Sequence, residues 1–134
     1  QEAEREELGG ERAGHRCEYC LLHEDDSFQP HEVDHVISRK HAGKSALDNL
    51  AYACAKCNSW KGTDIAGLVA DSGEIAPLFH PRRDAWNAHF RLSDGEIVPL
   101  TPSGRATVRV LKLNLEGRIS ERLLLALADR YPRR

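Results

Sequence analysis

Asp34 and His35 stand side by side in HEVDHVISRKHAGKSALDNLAYACAKCNSWKG, the stretch from His31 to Gly62. A neutral imidazole can take a proton from water at physiological pH. An Asp carboxylate and an Asn carbonyl, such as those of Asp34 and Asn58, are hard oxygen ligands that suit Mg2+ or Mn2+ better than zinc. The amide of Asn49 can hold either the imidazole or the backbone where strand meets loop. Arg39, Lys40, Lys44 and Lys61 add cations that can hold phosphates. These are the parts needed to cut a phosphodiester: a base for water, a metal for the charge that develops on the phosphate, and cations for its neighbours.

The same stretch carries half of a second constellation. Four cysteines form two C-x2-C pairs, Cys17/Cys20 and Cys54/Cys57, and each such turn can bring two sulfurs to the ~2.3 Å of a zinc–thiolate bond. Two disulfides are disfavoured by the absence of an export signal. A redox pair is disfavoured by the absence of a thioredoxin-like βαβ context. A closed four-thiolate zinc leaves no open coordination position, so this metal is expected to hold the fold and leave the chemistry to other groups.

The elements expected to position these residues follow from pattern. Residues 1–16 read as an exposed helix, interrupted or ended at Gly9-Gly10, followed by the CEYC turn and a polar loop closed by Pro30. HEVDHVI alternates as a strand does, SRKHAGKSALD is a loop, and NLAYAC is a second strand. AKCNSWKGTDIAGLVA reads as a helix that begins at the second cysteine pair and breaks at Gly62 or Gly67. Beyond Asp71, AHFRLSDGEIVPL reads as a hairpin around Asp94-Gly95. Thr101 and Pro102 open a helix, and ISERLLLALADRY is a last amphipathic helix with Ser120 as its cap. Arg82 and Arg83 lie in a polar turn, where phosphate contact and plain solvation are both open readings.

The motifs CEYC, EVDHVIS and DNLAYACAKCNSWKG resemble the HNH endonucleases of the ββα-metal (His-Me finger) class, over residues 15–65. The resemblance implies that His35 is the general base and that Asn49 orients it. It implies Asp34 and Asn58 as ligands of a catalytic Mg2+ or Mn2+, and Cys17, Cys20, Cys54 and Cys57 as ligands of a structural Zn2+. Asn58 stands where many members have His, which makes this an HNN variant. The implied fold is α+β, a ββα-metal core with paired CxxC knuckles, an N-terminal helix and a C-terminal hairpin and helical extension. The expected organisation is a single domain over 1–134, with a nuclease core at 14–67 and an extension at 72–134 packed on it. DNA is the implied partner, bound by Arg39, Lys40, Lys44, Lys61, Arg82 and Arg83. The alternative is a non-catalytic zinc-stabilised module of the same fold that binds nucleic acid or protein.

Charge fits a localised polyanion surface. Residues 1–34 carry 3 basic and 11 acidic side chains, whereas residues 35–134 carry 16 basic and 10 acidic, so the net charge of −2 conceals a basic second part. No apolar run reaches the ~20 residues of a membrane span. The first residues are charged and lack a signal-like apolar stretch, so a cytoplasmic location is expected. The sequence does not begin with Met and can be a piece of a longer protein.

Overall fold

In the computed structural model, which describes residues 2–133, the chain is a mixed α/β domain of short antiparallel strand pairs and five helices. Gln1 and Arg134, the first and last residues of the expected single domain, lie outside the described residues, and so does the expected start of the first helix. That helix, α1 (Glu2–Arg12), runs through Gly9-Gly10 without a break. Packing explains why glycine is used there: a Cβ on Gly9 would come within 3.0 Å of Val33 Cγ2, so the missing side chain lets the helix close on the first sheet. Arg12 at its end donates to Leu47 O at 2.9 Å and to Leu50 O at 2.8 Å.

Strands β1 (Glu32–His35) and β2 (Leu50–Ala53) pair antiparallel, with Asp34 opposite Ala51 and His35 opposite Leu50. Helix α2 (Ala55–Lys61) follows at once. Cys54 caps it, its Sγ accepting from Cys57 N at 3.4 Å. The helix stops at Gly62 (φ +53°), one of the two expected breaks. The residues beyond correct the expectation of further helix: Ala66–Leu68 is strand β3, paired with β4 (Ile75–Pro77). A short apolar run does not distinguish strand from buried helix by period. Here Gly62 ends the helix, and the Ser72-Gly73 turn closes the hairpin.

Helix α3 (Trp86–His89) is a single turn that sequence pattern did not indicate. The expected hairpin is β5 (Phe90–Ser93) with β6 (Glu96–Pro99), turning at Asp94-Gly95. Helix α4 (Pro102–Val110) opens as expected, with Thr101 Oγ1 accepting from Gly104 N at 3.0 Å. Helix α5 (Glu116–Leu127) starts before Ser120, which is therefore interior and not a cap.

The core gathers Tyr19, Phe79, Phe90, Ile97, Leu111 and Leu113, all fully buried. Phe79 meets Tyr19 and Phe90 edge to face, at centroid distances of 6.3 and 5.4 Å, a favourable arrangement of ring quadrupoles. Hydrogen bonds tie the later elements to the first cysteine turn. Trp86 Nε1 donates to Tyr19 O at 2.9 Å, and Tyr131 Oη donates to Cys20 O at 2.5 Å.

Candidate functional site

The β1 exit is built around Asn49. This buried side chain accepts from Ile37 N at 3.0 Å and donates to Ile37 O at 2.8 Å and Lys44 O at 2.9 Å. It therefore clasps both ends of the loop between the strands, the second of the two roles open to it from sequence. It makes no hydrogen bond to His35. The clasp is tight: a Cβ on Gly43 would fall 1.7 Å from Ile37 O, so only glycine lets the loop pass there.

His35, half-buried, closes β1. Its Nε2 lies 2.8 Å from Ser45 Oγ, and Arg39 Nη2 donates to the same oxygen at 3.0 Å. With Arg39 donating, the hydroxyl proton is free to point at the imidazole. Where the hydroxyl donates to it, Nε2 is the acceptor that a general base requires; the second lone pair of Oγ leaves room for the opposite tautomer. Ser45 was not singled out from sequence, since a serine in a Gly- and Lys-rich loop carries no signal of its own. Arg39, Lys40 and Lys44 are exposed on this loop, as a phosphate-facing surface requires.

Asp34 and Asn58 sit on the other side of β1. Alternation places Glu32 and Asp34 on one face, and α2 lies against it through residues one turn apart. Asn58 Nδ2 donates to Glu32 Oε2 at 3.0 Å. Lys61 Nζ lies 3.4 Å from Asp34 Oδ2 and 3.2 Å from His35 O. Burial raises the Asp34 carboxyl above its ordinary range, and the Lys61 ammonium works in the opposite direction.

Two of the expected phosphate contacts are placed elsewhere. Lys61 is 1% exposed and bound to Asp34, so it is part of the site's foundation and not of an open phosphate surface. A lysine at the end of a short helix reads as solvated, and only the tertiary contact with Asp34 reveals otherwise. Arg82 is half-buried and spends its charge on an ion pair with Glu18. Arg83 is exposed and remains available.

The cysteines are brought together completely. The sulfurs of Cys17, Cys20, Cys54 and Cys57 all lie within 4.8 Å of one another, all four residues are buried, and none is in a disulfide. Cys20 Sγ and Cys54 Sγ are 3.7 Å apart. Tetrahedral zinc with ~2.3 Å bonds sets its sulfurs about 3.8 Å apart, so the cluster has the dimensions of a zinc site. Backbone N–H groups support it, Cys20 N donating to Cys17 Sγ and Cys57 N to Cys54 Sγ, each at 3.4 Å. Arg118 Nη2, from α5, donates to Cys57 Sγ at 3.1 Å. Burial acts to lower the Arg118 pKa, but the Cys57 and Cys20 thiolates outweigh it and raise it above its ordinary value. This buried guanidinium would offset part of the −2 charge of a four-thiolate zinc, and sequence pattern did not point to it.

The β1–β2 pair and α2 thus carry Asp34, His35, Asn58 and Cys57, while Asn49 and Cys54 flank β2 and Cys17 and Cys20 join from the turn before β1. Residues 17–64 match the HNH endonuclease family model. The HNH segment contains the four cysteines, Asp34, His35, Asn49 and Asn58, and ends two residues after Gly62. Neither the curated proteins nor the solved structures give a match to the chain. The Arg82/Arg83 turn, α4 and α5 all lie beyond the HNH segment. No helix among the described residues is long and apolar enough to cross a membrane.

Proposed function

We propose that the protein is a metal-dependent endonuclease that hydrolyses DNA phosphodiester bonds on a ββα-metal core, with residues 1–134 acting as one domain. The observation that carries this reading is the β1 exit: an Asp-His pair on a strand end clasped by Asn49, beneath a basic loop, within a segment matching the HNH endonuclease family. Asp34 and Asn58 offer oxygen donors of the kind that a hard divalent cation takes. These few ligands leave room for the water and phosphate oxygens that Mg2+ keeps in its shell. When bound, that ion would stabilise negative charge on the phosphate and on the leaving oxygen.

The remaining steps fall to the chain's own groups. Arg39, Lys40 and Lys44 bind the phosphates. Water that displaces the Ser45 hydroxyl reaches His35 Nε2. His35 then takes a proton from water, the hydroxide forms a bond to phosphorus, and the P–O bond to the leaving oxygen breaks. That oxygen is protonated from solvent, and His35 returns its proton to bulk water. Zinc in the cysteine cluster holds α2 against the first turn and takes no part in the reaction.

Nicking of supercoiled plasmid in Mg2+ or Mn2+ tests this reading. Asp34→Ala should nick slowly and be partly rescued by raised metal concentration. An Asp34→Ala protein with wild-type metal dependence would remove Asp34 from the ligand set. One observation favours a second reading. The Lys61 ammonium already neutralises Asp34, as it would in a zinc-stabilised module that binds nucleic acid without cutting it. Such a protein would bind DNA and leave plasmid intact at every metal concentration.

A further inference from the structure

A cavity of about 390 Å³ opens directly beside the candidate active site. Its walls include Val36 and Ile37, the two residues that follow His35, and Lys61, whose ammonium is 3.2 Å from His35 O. The volume falls in the ~300–1,000 Å³ range of small-molecule sites. Ile65, Leu78 and Phe79 supply further apolar wall, and the imidazoles of His80 and His89 add two flat rings. The His80 turn, α3 and the start of α4 all lie outside the segment that matches the HNH family.

The charges around this cavity argue for what enters it. Asp64 and Asp84 line it and would repel a phosphate placed inside. Arg83, also lining it, is exposed and can hold a phosphate outside. His80 is 8% exposed, and its Nδ1 accepts from Arg82 N at 3.2 Å, which puts the ring proton on Nε2. That Nε2 is buried and has no hydrogen-bond partner among the described residues. A flat, uncharged group suits a cavity lined by apolar side chains and imidazoles, and a nucleobase is such a group.

We infer that this cavity is a subsite for one unpaired nucleobase of the substrate strand, adjacent to the scissile phosphate, with the following phosphate on Arg83. The inference rests on the nuclease reading for its substrate. A base inside a duplex cannot reach such a cavity without leaving the stack, so the site selects single-stranded or locally unpaired DNA. Stacking on the apolar and imidazole walls supplies affinity without sequence preference, worth ~1–3 kcal/mol per base, or about 5- to 150-fold.

The test is equilibrium binding, with no divalent cation added, of three fluorescent probes of about 12 nucleotides, within the range of ssDNA site sizes. They are a mixed-sequence single strand, the same backbone made wholly abasic, and the paired duplex. Wild type should bind the strand with bases at least fivefold more tightly than the abasic one. Ser103→Phe, made at a half-exposed lining position at the start of α4, fills the cavity, and its thermal unfolding is measured beside wild type. It should abolish the preference for bases and leave affinity for the abasic strand and the duplex unchanged. Arg83→Ala should weaken both single strands alike. Wild type that does not distinguish the two single strands, or Ser103→Phe that keeps the full preference, would overturn the subsite. Cleavage enters none of these measurements. A protein that shows the base preference but cannot nick plasmid would therefore overturn the nuclease reading alone.

Discussion

Asn49 illustrates how a single side chain can hold a candidate site together without touching His35. Its three hydrogen bonds fix both ends of the loop carrying Arg39 and Ser45, and those two residues in turn fix His35. Asn49→Ala leaves Ile37 N, Ile37 O and Lys44 O without their partner. At about 1 kcal/mol per bond, urea denaturation should show a loss of roughly 2–4 kcal/mol. Asn49→Asp should do no better, because it cannot donate the two bonds to carbonyls. His80 offers a separate check through pH. Burial, with Arg83 nearby, holds its pKa below the ordinary imidazole value. The unfolded chain therefore binds a proton at a higher pH than the fold does, so stability should fall as pH drops through the ordinary imidazole range. The fall should be shallower in His80→Gln, measured by thermal denaturation between neutral and mildly acidic pH. Asp34, His35, Asn49 and Asn58 stood out in the sequence as candidates because their spacing resembles a family motif. Ser45 was not legible, and Lys61 was read as a phosphate cation, since only tertiary contact gives an ordinary serine a histidine and an ordinary lysine a buried carboxylate.

Among the elements, α2 connects the two constellations. Its first turn carries Cys57, its last carries Lys61, and one face lies on Glu32 and Asp34. Zinc at the cysteine cluster would therefore set the height of the helix that supports the site. Elemental analysis of freshly purified protein should find about one zinc per chain, and Cys54→Ser should lose both the metal and the fold, since structural zinc contributes on the order of 10 kcal/mol or more. Folded protein without zinc would refute this. Arg118 reaches the cluster from α5, and Arg118→Met should weaken zinc by about 10- to 100-fold in chelator competition, the usual effect of losing an outer contact. The strand–loop–strand–helix order around the cysteines could be read from alternation, turn residues and the second CxxC. The β3–β4 hairpin could not, because IAGLVA suits a helix as well as a strand until its partner IAP is in place.

Over the whole molecule, the segment that matches a known family is covered by elements that do not. Tyr131 and Trp86 bond to the first cysteine turn, Arg118 to the second, and the His80 turn walls the cavity beside His35. Sequence pattern foresaw an extension with a hairpin and helices. It did not reveal that the extension reaches the cysteine cluster and the candidate site, because contacts between distant segments have no local signature. The asymmetry of charge belongs to this scale too. The exposed cations Arg39, Lys40 and Lys44 should set affinity through counterion release, so replacing all three with Ala should flatten the log–log salt dependence of duplex binding by about 0.9 per lost phosphate contact. The central claim, that His35 is the base of a phosphodiesterase, is tested most directly by plasmid nicking in Mn2+ by wild type and His35→Ala, with zinc content, thermal stability and DNA affinity measured on both. The account predicts a rate lower by about two to four orders of magnitude, with those three controls nearly unchanged. Wild-type nicking by folded His35→Ala would contradict it.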